Sequence, residues 1–156
     1  MFRSHAGEPR HGAPEPGPKW ILYIDGGARG NPGPAGAGAV LYDGKGIRVA
    51  GMRWPLGRTT NNTAEYEGLI RGLEMAAAAG ARRLEIRSDS ELIVRQMRGE
   101  YRVKAPHLKK ASMRAHEALS GFNEVVFTSI PREQNKEADL LANMAMDEAV
   151  GKRGKS

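Results

Sequence analysis

The sequence predicts an α/β domain built on a five-stranded mixed sheet flanked by helices, with the first three strands antiparallel. Three observations carry this. Apolar runs at residues 19–25, 36–43 and 47–54 follow one another with Gly-rich links and no helical periodicity between them, as consecutive hairpin strands do. Two further strand-like runs, 83–89 and 124–130, are each preceded by helical patterns, and strands joined by helical crossovers normally lie parallel. The chain has 156 residues and 40% hydrophobic content, which suits one domain with a substantial core.

Residues 1–18 are dominated by Pro, Gly, His and charge, a composition that predicts a disordered tail. The run 19–25 is apolar on both faces, as a central strand is, and it ends on Asp25. The turn at 43–46 joins the second and third strands. Helical spacing of Tyr66, Leu69, Ile70, Leu73 and Ala77 predicts a helix from 61 to 81, stopped near Gly80. After the strand 83–89, Ser90 caps a short helix, and Pro106 opens another that reaches Gly121. The fifth strand is 124–130. Beyond Pro131, Ala138, Leu141, Ala142 and Ala145 mark one stripe of a last helix, and residues 150–156 read as a basic tail without periodicity. The folded domain is therefore expected at 19–149.

The formal net charge of +6 favours a polyanionic partner, while an aromatic content of 6% leaves few stacking platforms. There are no cysteines, which excludes disulfides, thiolate zinc sites and cysteine nucleophiles and suits a reducing compartment. No stretch has the length or apolarity of a signal-peptide core or a membrane span, so a cytoplasmic protein without a membrane partner is expected.

Four carboxylates draw the chemistry together. If the first and fourth strands are parallel neighbours, Asp25 and Asp89 reach the same edge of the sheet, where active sites of such sheets belong. Glu65 lies beside the apolar stripe of the first long helix and Asp139 beside that of the last, so both can look toward the sheet. Four acids repel one another unless a cation sits between them, and oxygen ligands without Cys or paired His suit Mg²⁺ or Mn²⁺. Each acid also has a purely structural reading. Asp25 can begin a turn, Asn62-x-x-Glu65 matches a capping box, Asp89 can cap a helix, and Asp139 can be solvated.

The segments "YIDGGARGNPGPAGAGAV", "TTNNTAEYEGL", "IRSDSELIV" and "PREQNKEADLLANMA" together resemble, in order, the four blocks of a type 1 ribonuclease H domain, over residues 20 to about 148. The resemblance implies the ribonuclease H-like fold and an Asp-Glu-Asp-Asp site at Asp25, Glu65, Asp89 and Asp139 holding two Mg²⁺ ions, with Mn²⁺ as a substitute. By that resemblance the protein is an endonuclease cutting the RNA strand of RNA–DNA hybrids, leaving 5′-phosphate and 3′-hydroxyl ends. Asp25 would bridge both ions, Glu65 and Asp89 would complete one site, and Asp139 the other. Asn31, Asn61 and Asn62 would contact the hybrid's minor groove, where a group that donates and accepts suits sugar hydroxyls and base edges, and Gly26 and Ser90 would complete the substrate-contacting set.

Two departures stand out. Many members carry a histidine in the loop before the last acid, but here that loop reads Pro131-Arg132-Glu133-Gln134-Asn135. The basic helical protrusion of some members is replaced by a short link at 99–106, leaving Arg102, Lys104, Lys109 and Lys110 as either a smaller basic surface or a solvated face. A hybrid-binding module without catalysis would need an acid missing or misplaced, and all four are present. A related nuclease with another substrate is disfavoured by the asparagine blocks. No obligate protein partner is indicated, so a monomer is expected.

Overall fold

The computed structural model describes residues 17–154, the last three as backbone only. Strands β1 (Lys19–Ala28), β2 (Gly33–Tyr42) and β3 (Arg48–Thr59) form an antiparallel meander, and β4 (Arg83–Ser88) and β5 (Glu124–Ser129) add to it in parallel, in the order β3-β2-β1-β4-β5. Helices α1 (Asn61–Ala79), α2 (Glu91–Met97), α3 (Pro106–Leu119) and α4 (Lys136–Gly154) complete the domain. The predicted fold class is the observed one. Among the described residues no helix is long and apolar enough to cross a membrane.

Alternation along the central strands assigns the two faces of the sheet. Leu22 and Ile24 of β1, Leu84 and Ile86 of β4, and Val125 and Phe127 of β5 pack with Tyr66, Leu69 and Leu73 of α1 and Leu108 and Leu119 of α3 in one continuous core. The opposite face of β2 carries α4, whose stripe of Ala138, Ala142 and Ala145 is fully buried. Gly38 makes this seat close: a Cβ there would lie 2.8 Å from the Ala138 carbonyl oxygen and 2.7 Å from the Leu141 Cβ. Since Gly38 pairs with Asp25 across the β1–β2 ladder, the same contact brings the first turns of α4 over Asp25.

Several boundaries differ from expectation. β1 does not end at Asp25 but continues to Ala28, because its hairpin with β2 stays paired as far as Ala28↔Ala35. β3 runs through Pro55 to Thr59; it is an edge strand, where the missing proline N–H need not serve a ladder bond. The cap of α1 is Thr60, whose hydroxyl accepts from the Thr63 N–H, so the capping-box reading of Asn62 and Glu65 fails. α4 continues to Gly154 through residues expected in the basic tail, since extending a packed helix avoids the cost of nucleating a new one. Of the expected N-terminal tail, residues 1–16 lie outside the described residues, and the Gly17 carbonyl accepts from Arg83 at 2.8 Å.

Candidate active site

The cleft forms where two strands part. The parallel β1–β4 register ends at Tyr23↔Arg87, yet β1 goes on with β2 while β4 stops at Ser88 and turns into α2. Asp25 and Asp89 therefore stand just beyond the last paired residues, at the carboxyl ends of neighbouring parallel strands. Gly26 lets α1 approach: a Cβ at this position would fall 2.3 Å from the Ala64 carbonyl oxygen, so only glycine allows Glu65 to sit beside Asp25. Asp139 enters from the first turn of α4. All four acids line one cavity of about 600 Å³, together with Gly26, Asn61, Asn62 and Ser90.

Ser90 serves two elements, accepting the Ile93 N–H as the cap of α2 and donating its hydroxyl to Glu65 Oε1 at 3.0 Å. Asp25 Oδ1 accepts the Gly26 N–H at 2.9 Å. Burial pushes the Asp25 carboxyl up to about 8, reinforced by the Asp89 charge and by the neighbouring Asp139 carboxyl. Burial likewise raises Glu65 to about 7; the Ser90 hydroxyl opposes this and Asp89 adds to it. Asp89 is raised too, by burial first and by Asp139, with the Arg132 guanidinium and the Asn135 amide pulling it back.

Asp25, Glu65 and Asp89 are each harder to ionise than an ordinary carboxyl in the absence of a cation. An all-oxygen donor set of this kind fits a hard divalent ion, which would supply positive charge. Among the described residues no group of three or more His, Cys, Asp or Glu closes into a ready-made ligand shell, so the arrangement is an acidic cleft rather than a finished cage.

The asparagines build the rim. Asn31, in the loop between β1 and β2, is not on the cavity wall; its Oδ1 accepts the Asn61 N–H at 3.0 Å. Asn61 Oδ1 accepts the Ala28 N–H at 2.7 Å. Both carbonyl oxygens thus brace the loop with one hydrogen bond each, and the amide N–H₂ groups remain as donors. The loop is tied to α4 by Arg29, which bonds Asp147 and the side chain of Asn143.

The polar and apolar side chains of the cleft that the sequence reasoning did not assign to it include Arg132, Asn143 and Met146. Arg132 lines the cavity, with its guanidinium 3.7 Å from Asp139 Oδ1, in the loop that lacks the histidine of many family members. Asn143 and Met146, one and two turns beyond Asp139, line it as well, and the helical period from Asp139 is the signal that could have found them. Asn135, behind the cavity wall, immediately precedes the helix and is buried. The four cations Arg102, Lys104, Lys109 and Lys110 are exposed on the α2–α3 link and the start of α3.

A divided sheet edge carrying four carboxylates on four segments forms one acidic cleft, and comparison with known proteins gives the family of the chain. A family model described as reverse transcriptase-like matches residues 23–145. The chain is 45% identical over 136 residues to a ribonuclease HI of Halobacterium salinarum, covering 87% of this chain and 68% of that protein. Its structure superposes on the N-terminal ribonuclease H domain of Rv2228c from Mycobacterium tuberculosis with a TM-score of 0.84 and 43% identity, over 86% of this chain and 98% of that one. It spans 36% of the full-length mycobacterial bifunctional protein. LC11-RNase H1, solved in complex with an RNA/DNA hybrid, matches with a TM-score of 0.79 and 48% identity, over 84% of this chain and 99% of that one. The chain belongs to the type 1 ribonuclease H family of enzymes, which use divalent metal ions.

Proposed function

We propose that this protein is an endonuclease that hydrolyses the RNA strand of RNA–DNA hybrids, using two divalent ions held by Asp25, Glu65, Asp89 and Asp139. The observation that carries this reading is the single cavity lined by all four acids and rimmed by asparagines whose amide donors are free to face a substrate. The LC11 relative, solved with a hybrid bound, supports the substrate.

When bound, two Mg²⁺ ions, or Mn²⁺ in their place, would activate water and stabilise the leaving 3′ oxygen, giving 5′-phosphate and 3′-hydroxyl products. The protein's own contribution is placement. We assign Asp25, which feels both Asp89 and Asp139, to both ions, Glu65 and Asp89 to one, and Asp139 to the other. Ser90 holds Glu65 in its rotamer, and Gly26 keeps the β1 backbone against α1. Asn61 and Asn62, with Asn31 behind them, present N–H donors that suit 2′-hydroxyl oxygens and the acceptor-lined minor groove. The protein is assigned as a monomer acting in the cytoplasm, in keeping with its lack of cysteine.

A cleavage assay on hybrid, double-stranded RNA and double-stranded DNA, with Mg²⁺ and with excess EDTA, tests the reading. Cleavage of the hybrid's RNA strand, dependent on Mg²⁺, is expected. Robust hydrolysis in EDTA would overturn the metal assignment, and equal rates on the DNA duplex would overturn the substrate.

A further inference from the structure

Asn135 is 1% exposed, and among the described residues its Oδ1 is the buried side-chain polar atom without a hydrogen-bond partner. A buried carbonyl left unpaired is unfavourable, and an apolar side chain of similar shape would avoid it. The other end of the amide explains why a polar residue stands there. Nδ2 donates to the Ile24 carbonyl at 2.9 Å. The Asn135 backbone carbonyl accepts the Asp139 N–H at 3.0 Å. One residue therefore joins the backbone just before Asp25 to the backbone of Asp139.

The location gives this grip its purpose. The β1–β4 ladder stops at Tyr23↔Arg87, so no β4 residue pairs with Ile24, and a backbone acceptor is left where the strands part. The Asn135 amide serves that acceptor from a third element. Only the N–H₂ end of an amide can serve a carbonyl, which fixes the orientation of the side chain and leaves Oδ1 as the unpaired atom.

We propose that Asn135 is the positioning residue of the cleft: by tying β1 just before Asp25 to the start of α4, it sets the spacing of Asp25 and Asp139. The inference rests on the nuclease reading above. Asn135 touches neither substrate nor ion; it acts through the acids, and loosening it should weaken ion binding and slow turnover while leaving hybrid recognition at the rim intact.

The experiment compares the parent with Asn135→Leu, which has no donors, Asn135→Ser, which has one, and Phe122→Leu, a core change before the far end of β5. Melting curves in EDTA choose a temperature at which all four are folded; Mg²⁺ binding by titration calorimetry and kcat and KM on a hybrid are then measured. Outer-shell partners of metal ligands typically matter by about 10–100-fold, so Asn135→Leu should lower both kcat and Mg²⁺ affinity by about that factor, with Asn135→Ser intermediate. KM for the hybrid should stay within about threefold. Phe122→Leu should lower the melting temperature yet keep the parental kcat and Mg²⁺ affinity. Parental kcat and affinity in both Asn135 variants, losses that track melting temperature in all three, or failure of both Asn135 variants to fold would overturn the proposal. If the parent leaves the hybrid uncut, the nuclease reading falls, and the Mg²⁺ titrations alone decide: weakened binding in the Asn135 variants upholds the positioning role, and parental binding ends it.

Discussion

Replacing Asp25 with Asn should make the metal-free protein more stable and the enzyme inactive. In the absence of metal, burial and the neighbouring acids raise the Asp25 carboxyl from 3.8 to about 8. Holding a carboxyl ionised costs about 1.4 kcal/mol for every tenfold weakening of its acidity, so a rise from 3.8 to about 8 sets a ceiling of about 5–6 kcal/mol on that cost. Three features lower the figure. Burial is the largest cause, and a neutral amide still loses part of its hydration on burial; Asp89, itself raised by burial and by the Asp139 charge, stays in the cleft, so some repulsion persists without Asp25; and at neutral pH the parent escapes much of the penalty by staying protonated. A net gain of about 1–2 kcal/mol at pH 8–9 remains, or roughly 3–8 °C in melting temperature for a domain of this size. The amide keeps the shape, and its Oδ1 can still accept the Gly26 N–H.

Melting curves in EDTA and in Mg²⁺, run beside a hybrid-cleavage assay on parent and variant, separate the two effects. In EDTA the variant should melt higher. In Mg²⁺ the advantage should shrink or reverse, because a ligand that binds the folded parent stabilises it by mass action and the variant has lost a ligand. Cleavage should fall by at least about a hundredfold. A variant that is destabilised in EDTA by more than about 1 kcal/mol while cleaving normally would show Asp25 to be a structural residue, and the assignment of the ions would go with it.

Protons and packing give four further outcomes. With folded values of about 8 for Asp25 and about 7 for Glu65 against ordinary values of 3.8 and 4.5, the stabilisation these groups give when protonated is complete below the ordinary values and is lost as pH rises through the folded ones; metal-free melting temperatures should therefore decline from pH 5 to 9, less steeply in Asp25→Asn, and a rising profile would contradict the raised values. Ser90→Ala removes the α2 cap and the Glu65 partner together, so it should cost about 1 kcal/mol in chemical denaturation and also reduce kcat; loss of stability alone would deny Ser90 its hold on Glu65. Gly26→Ala forces a Cβ against the Ala64 carbonyl oxygen and should destabilise by about 2–3 kcal/mol by the same measurement, whereas a neutral change would mean α1 is not held as described. Mg²⁺ binding near pH 7.5 should release protons, read as a dependence of the calorimetric heat on buffer ionisation enthalpy, and heats identical across buffers would refute it.

The elements that a local pattern can specify were legible in the chain. The apolar stripe of α1, Gly80 as its stop, Ser90 as the α2 cap and Pro106 at the start of α3 all depend on neighbours within a turn or two, and the structure has each of them. The boundaries that failed depend on distant partners. Whether β1 ends at Asp25 is decided by β2, which pairs with it up to Ala28, and whether β3 passes Pro55 is decided by its place at the sheet edge. The four acids could be brought together from sequence because each follows or flanks an apolar run whose place in the sheet was predictable. Asn135 could not, because nothing local distinguishes a helix-start asparagine that caps from one whose side chain reaches β1, and Arg132 sits in a loop with no period to read. The free ends of Asn31 and Asn61 were equally hidden, since which end of an amide faces outward depends on what the other end already bonds.

Each acid is anchored by contacts that have nothing to do with its charge. Asp25 lies within the β1–β2 ladder, Glu65 rides on a helix whose next residue, Tyr66, is fully buried in the core, Asp89 stands between Ser88, whose hydroxyl accepts the Ser90 N–H, and the cap of α2, and Asp139 is carried by a helix seated on Gly38. Moving any one segment to relieve the repulsion among the four would therefore break one of these contacts. What remains open to the cleft is a proton or a cation. Burial and neighbouring charge favour the proton on Asp25 and Glu65, and on the proposed reading a divalent ion, carrying twice the charge and preferring several oxygens at once, would displace it. The same rigidity that makes the cleft unfavourable alone would then favour the ions the proposed hydrolysis needs, since a looser site could simply spread apart.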